Sequence, residues 1–191
     1  GHRKIGYMSG IVNEDIDCAD RLSGYMRALE LFHIPFENDL IIPSELSMSS
    51  SYEAVTNFLK QSKHLPTAII GVNDIVAIGA MQAIKDFGLH VPEDISVVGF
   101  DDISLSNEVT PRLTTIHVDK EEMGRLSVHR LIELMKGKPV GFHKMMINPT
   151  IIERESVKNP KNALGGDQEK RSKMTQEYTK LNGWLSKSGR Q

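Results

Sequence analysis

From Lys4 to Val109 an apolar run of strand length is followed, four times over, by a stretch suited to helix, and the connections between them are short. That alternation limits the chain to an α/β fold with a parallel sheet flanked by helices. Lys4–Ser9 reads as the first strand, ending at Gly10. After a polar loop, Asn13–Asp17, the apolar positions Leu22, Met26, Leu29 and Phe32 recur at helical spacing, and Pro35 stops that helix. Leu40–Ile42 is the second strand, and Ser49–Ser51 offer N-caps for a helix whose apolar face is Tyr52, Val55, Phe58 and Leu59. Thr67–Val72 is the third strand. Asn73-Asp74 then cap a helix built on Val76, Ala77, Ala80, Met81, Ile84 and Phe87, which Gly88 is placed to end.

The fourth strand lies in Asp94–Asp102, where Ile95, Val97, Val98 and Phe100 form an almost continuous apolar run that breaks into two carboxylates. Such a run predicts a central strand buried on both faces. In open α/β sheets ligands bind just past the carboxyl ends of the strands, so Asp101 and Asp102 stand where chemistry is expected. Beyond them the rhythm changes. Ser104–Val109 suits a turn of helix, Pro111–Ile116 begins a strand, and Asp119 can cap a helix reaching about Met135. Lys144–Ile147 and Thr150–Ile152 read as two further strands hinged at Asn148-Pro149.

Charge bears on partners. Residues 158–191 carry eight Lys/Arg against three acids, which makes this tail +5 and the remainder −7 within a net charge of −2. An acidic body is a poor surface for nucleic acid. Met174, Tyr178, Leu181 and Leu185 trace a heptad seam of only two repeats, interrupted by Gly183, so the tail is expected to fray rather than to zip. No apolar run approaches the roughly 18 residues of a membrane span, and no charged-then-apolar leader is present. The lone Cys18 excludes an intramolecular disulfide and any multi-cysteine zinc site, and fits a reduced compartment. The seven histidines (2, 33, 64, 90, 117, 129, 143) lack metal-ligand spacing, and no glycine-rich phosphate loop or nucleophile elbow occurs, so neither a metal, a cofactor nor catalysis is expected.

Gly1–Tyr7, Arg21-Leu-Ser-Gly-Tyr25, Pro66–Ile70, Asn73-Asp-Ile-Val-Ala-Ile-Gly79, Val91–Asp102 and Pro111-Arg-Leu-Thr-Thr-Ile116 occur in an order and spacing that resembles the effector-binding domain of LacI/GalR-type transcription regulators. The resemblance covers roughly residues 1–157. It implies a periplasmic-binding-protein type I-like fold of two α/β subdomains that clamp an effector. Residues 1–117 would form the carboxyl-proximal subdomain, 118–147 a segment belonging to the amino-proximal subdomain, 148–157 the return strand, and 158–191 the basic tail. It further implies that a helix-turn-helix headpiece and the first half of the amino-proximal subdomain precede Gly1, that operator DNA is contacted only through that headpiece, and that the protein is a cytoplasmic homodimer. On the helix from Asp119 to Met135, the face with Met123, Leu126, Leu131 and Leu134 would lack the sheet it covers in the family.

The same resemblance gives three effector-contacting positions, Arg21, Asn73 and Asp101, with Asp15, Asp17 and Leu46 as further candidates. A carboxylate accepts, a guanidinium donates in a rigid fork and an amide does both, which suits the hydroxyls of a sugar or polyol. Each residue also has a plainer reading: Arg21 as a solvated helix residue, Asn73 as an N-cap, Asp101 or Asp102 as a cap of the next turn. Asp101 is expected to face the cleft and Asp102 to be structural. Acids at Asp15 and Asp17 disfavour a phosphate neighbour. Leu46 stands where many sugar-responsive relatives place an aromatic, which leaves purines, pentoses and other small metabolites open, with Met48 as an apolar wall. The expected function is effector sensing in a transcription regulator. The rival is a periplasmic sugar-binding protein of a transport system.

Overall fold

The computed structural model describes residues 1–10, 16–62, 64–137 and 145–160. Its elements are β1 (Ile5–Ser9), α1 (Ile16–Leu31), β2 (Ile41–Pro43), α2 (Met48–Gln61), β3 (Ala68–Gly71), α3 (Asp74–Asp86), β4 (Ser96–Val98), β5 (Thr115–His117), α4 (Lys120–Met135) and β6 (Thr150–Ile152). Short 3-10 turns at Asn38–Leu40 and Ser104–Asn107 precede β2 and β5.

β1 to β4 form one parallel sheet in the order β2-β1-β3-β4. Side chains alternate across it, and the two faces are filled by different helices. Tyr7 and Ile70 join Tyr25, Leu29 and Leu22 of α1 on one side. Met8, Ile42, Ile69 and Val97 join the apolar faces of α2 and α3 on the other, with Val55, Leu59, Val76, Ala80 and Ile84. Helices α2 and α3 meet at a glycine: a Cβ on Gly79 would stand 2.0 Å from Ser51 Oγ and 2.5 Å from the Met48 carbonyl, so only hydrogen fits. Asn73 caps α3 through Oδ1, which accepts from Val76 N at 2.9 Å, and Gly88 follows its last turn at φ +85.

Three local expectations are corrected. The cap of α2 is Ser47, whose side chain accepts from Ser50 N, and not Ser49–Ser51; in a run of serines the helix begins earlier, and Ser51 is buried with its hydroxyl donated to Met48 O. β4 is the last strand of the sheet, not a central one, and Val98 and Phe100 are only half-buried, while Ile95 and Val97 are buried. Its outer edge is nonetheless occupied, since Val97 N donates to Ser156 O (2.8 Å) and Gly99 N to Thr114 O (3.0 Å). Residues 145–147 form no strand, and Lys144 lies outside the described residues.

β5 and β6 pair antiparallel, with Ile116 opposite Ile151. They lead to and from α4, which Asp119 caps by accepting from Glu122 N at 2.8 Å. No residue of α4 is buried. Met123, Val128, Leu131, Ile132, Leu134 and Met135 are exposed, so most of the expected apolar face is open, and Leu126 is half-covered. The tail from residue 161 lies outside the described residues.

Candidate functional site

Parallel strands bring their carboxyl ends to one edge, and the loops leaving β3 and β4 carry Asn73 and Asp101 there. Arg21 reaches the same edge from α1. Its Nη1 donates to the Val72 carbonyl at 2.5 Å, one residue before Asn73. Its guanidinium carbon sits 4.3 Å from the centre of the Phe100 ring, one residue before Asp101. One side chain therefore touches both loops, and the three expected residues lie at one edge of the sheet.

Asp101 is half-buried with φ +111, and among the described residues no donor reaches its carboxylate. Burial pushes its pKa above the usual carboxylate value; the nearby Asp74 adds to this, while Arg21 and Lys120 oppose it. Its backbone is held from both ends, Asp101 N donating to Ile116 O (2.9 Å) and Lys120 Nζ to Asp101 O.

Beneath the site lies a group that sequence reasoning credited only with capping. Asp74, at the first position of α3, is wholly buried and accepts from Thr115 Oγ1 (2.5 Å), Ser106 Oγ (2.7 Å) and Ile103 N (2.9 Å). Asp74 N in turn donates to Phe100 O at 2.8 Å. This carboxylate thus ties the start of α3 to the loop after β4 and to β5. The adjoining Asn-Asp in the sequence signals a cap, but not partners 29 to 41 residues away.

The Asp102 carboxylate is taken up by two side chains of the fold. Arg154 Nη2 donates to its Oδ1 at 2.7 Å and His117 Nδ1 to its Oδ2 at 2.9 Å. Burial raises its pKa, but the hydrogen bonds and charges of Arg154 and His117 outweigh this and leave it below the ordinary value. A carboxyl depressed in the folded state stabilises the fold above its unfolded pKa, about 3.9, and loses that contribution as pH falls through the folded value. Urea midpoints should therefore decline as pH falls from about 4 to 2. Arg154→Met should be less stable at pH 6 and lose less on acidification; an unchanged acid dependence would remove Asp102 from the account.

Of the further candidates, Leu46 is 46% exposed after β2, and its Cδ2 lies 3.1 Å from where a Cβ on Gly10 would be, so it does flank the carboxyl edge. Asp15 and the side chain of Asp17 lie outside the described residues. Phe100 as the platform for Arg21 was missed because an aromatic in an apolar run reads as core. Among the described residues no cluster of His, Cys, Asp and Glu could hold a metal ion, and no helix is long and apolar enough to cross a membrane.

Residues 1–157 match the family described as periplasmic binding protein-like domain. The chain is 37% identical over 157 residues to the HTH-type transcriptional repressor PurR of Pectobacterium atrosepticum, covering 82% of this chain and 46% of that protein. It is 35% identical over 157 residues to the ribose operon repressor of Haemophilus influenzae, covering 82% and 47%. Among solved structures, the lac repressor dimer bound to operator and the anti-inducer ONPF superposes with a TM-score of 0.74 at 32% identity, covering 82% of this chain and 53% of that one. The chain thus spans about half the length of the curated relatives it matches. With its parallel sheet, its flanking helices and its repressor relatives, the chain belongs to the periplasmic binding protein-like domain family, in the form found in LacI-type repressors.

Proposed function

We propose that this chain is the effector-sensing part of a cytoplasmic, homodimeric bacterial transcription regulator. Arg21, Asn73 and Asp101 take a small polar metabolite, a sugar or a related compound, and its binding changes how tightly a DNA-binding headpiece elsewhere in the protein holds its operator. The observation that supports this reading is the bridge made by Arg21, whose contacts with Val72 and Phe100 set its guanidinium beside the loops that carry Asn73 and Asp101. Residues 1–117 and 148–157 form one wall of the clamp, and 118–147 a piece of the other. The open apolar face of α4 fits a helix whose packing partner belongs to that second wall. The repressor names of the relatives favour regulation over transport and over catalysis. For the metabolite to act as a switch it must bind the two conformations with different affinity.

The test is a thermal-shift screen of the full-length protein against free pentoses, hexoses, disaccharides and purine bases. Titration of the best compound against Asp101→Asn follows. Removal of a charged acceptor should weaken binding by about 1–3 kcal/mol, roughly 5- to 150-fold. Equal affinity would take Asp101 out of the site.

A further inference from the structure

Asp101 and Asp102 both sit at positive φ, +111 and +50. Aspartate tolerates the left-handed well near +57, but +111 lies well outside it. Such a conformation is strained and persists only where its surroundings over-determine it. The surroundings here converge on one carboxylate. Asp102 is gripped by His117, the last residue of β5, and by Arg154, which lies just past β6. Arg154 is itself pinned, with Nη1 donating to Leu113 O (2.8 Å) and its backbone N–H to Thr114 Oγ1 (2.9 Å). The Arg154 and Asp102 side chains are 14% and 18% exposed, so solvent screens this pair far less than a surface one.

Resting on the site proposed above, we infer that Asp102 is its positioning residue: the grip of Arg154 and His117 locks the Asp101–Asp102 turn and so fixes where the Asp101 carboxylate stands. The same grip joins that turn to both strands that run to and from α4. A movement of β5 against β6 therefore pulls on the acid, and a ligand seated on the acid pulls on the strands. Asp102 touches no ligand in this arrangement.

The test uses Asp102→Gly, which frees the backbone at positive φ while deleting the carboxylate, Asp102→Asn, which keeps an oxygen for Arg154, and Arg154→Met, all in the full-length protein. The first readout is amide exchange and needs no ligand. Asp102→Gly and Arg154→Met should speed exchange of the Asp101 amide by about tenfold, the scale of one lost charge-assisted hydrogen bond, beyond any change at the core amide of Ile69, which reports global stability. The second is affinity for the best sugar or purine of the screen, which should fall by about tenfold in those two variants and recover in Asp102→Asn. Wild-type exchange at Asp101 in Asp102→Gly overturns the inference, even if Asp101→Asn abolishes binding and the site itself stands. Local loosening without loss of affinity, in a protein where Asp101→Asn does weaken binding, also overturns it, because Asp102 then has only a structural role. If Asp101→Asn binds normally, the site assignment fails and the positioning role fails with it, whatever the exchange data say about the turn.

Discussion

Val97→Asp should give no folded protein. Val97 is wholly buried in β4, on the face shared with Met8, Ile69, Val76 and Ile84, and its register partner is Ile69 of β3. A carboxylate there meets only hydrocarbon, and its desolvation costs several kcal/mol even when the group neutralises itself by taking a proton. That is a large share of the about 5–15 kcal/mol that holds a typical domain together. Circular dichroism and size-exclusion of the purified variant decide the matter. A cooperative, wild-type-like melt would mean that β4 does not pack as described. Val98, half-buried on the opposite face, is the control, and Val98→Asp should be distinctly less damaging.

Asp74→Ala should be the next most damaging change, and for a different reason. It removes no hydrophobic contact but strands three donors, Thr115 Oγ1, Ser106 Oγ and Ile103 N, in a site without solvent. Each buried, unsatisfied polar group costs about 1–3 kcal/mol, so a loss of at least about 3 kcal/mol and a fall in Tm on the order of 10 °C are expected. Asp74→Asn keeps one acceptor oxygen but turns an NH2 toward the remaining donors, and should fall between the two. The space around the carboxylate is closed as well, since a Cβ on Gly99 would come within 2.1 Å of Asp74 Oδ1. A wild-type Tm for Asp74→Ala would show that these bonds are not the tie between α3, the loop after β4 and β5.

The contrast between these two residues marks what the sequence made legible. Val97 announces itself through its neighbours, because an apolar run of strand length between turn residues has few other uses. So do the helices, whose spacing places Leu22 and Leu29 on one face and Val55 and Leu59 on another. A run of that kind does not tell a central strand from a terminal one, which is why β4 was misplaced and Val98 and Phe100 were expected to be fully buried. The family pattern brought Arg21, Asn73 and Asp101 to one edge, and the geometry gathers them there. The pairs that hold this edge in shape were not legible. Asp102 and Arg154 are 52 residues apart, and Asp74 and Thr115 are 41 apart. No local periodicity records contacts between segments so distant along the chain, and a polar residue that ends a strand looks the same whether it faces a ligand or a buried arginine.

Arg21 is held still at the carboxyl edge of the sheet. Its guanidinium lies over the Phe100 ring and one of its N–H groups is committed to the Val72 carbonyl. An arginine side chain surrenders about 2 kcal/mol of rotamer freedom when it is immobilised, and here that entropy was given up as the chain folded. In the site proposed above, an arriving molecule would therefore meet a fixed fork and would not have to quiet a mobile one, which favours tight association. The same rigidity sets a limit on tolerance. A guest whose acceptors fell a fraction of an ångström out of line would find donors that cannot follow it, so discrimination in the proposed site would come from a shape that does not adapt.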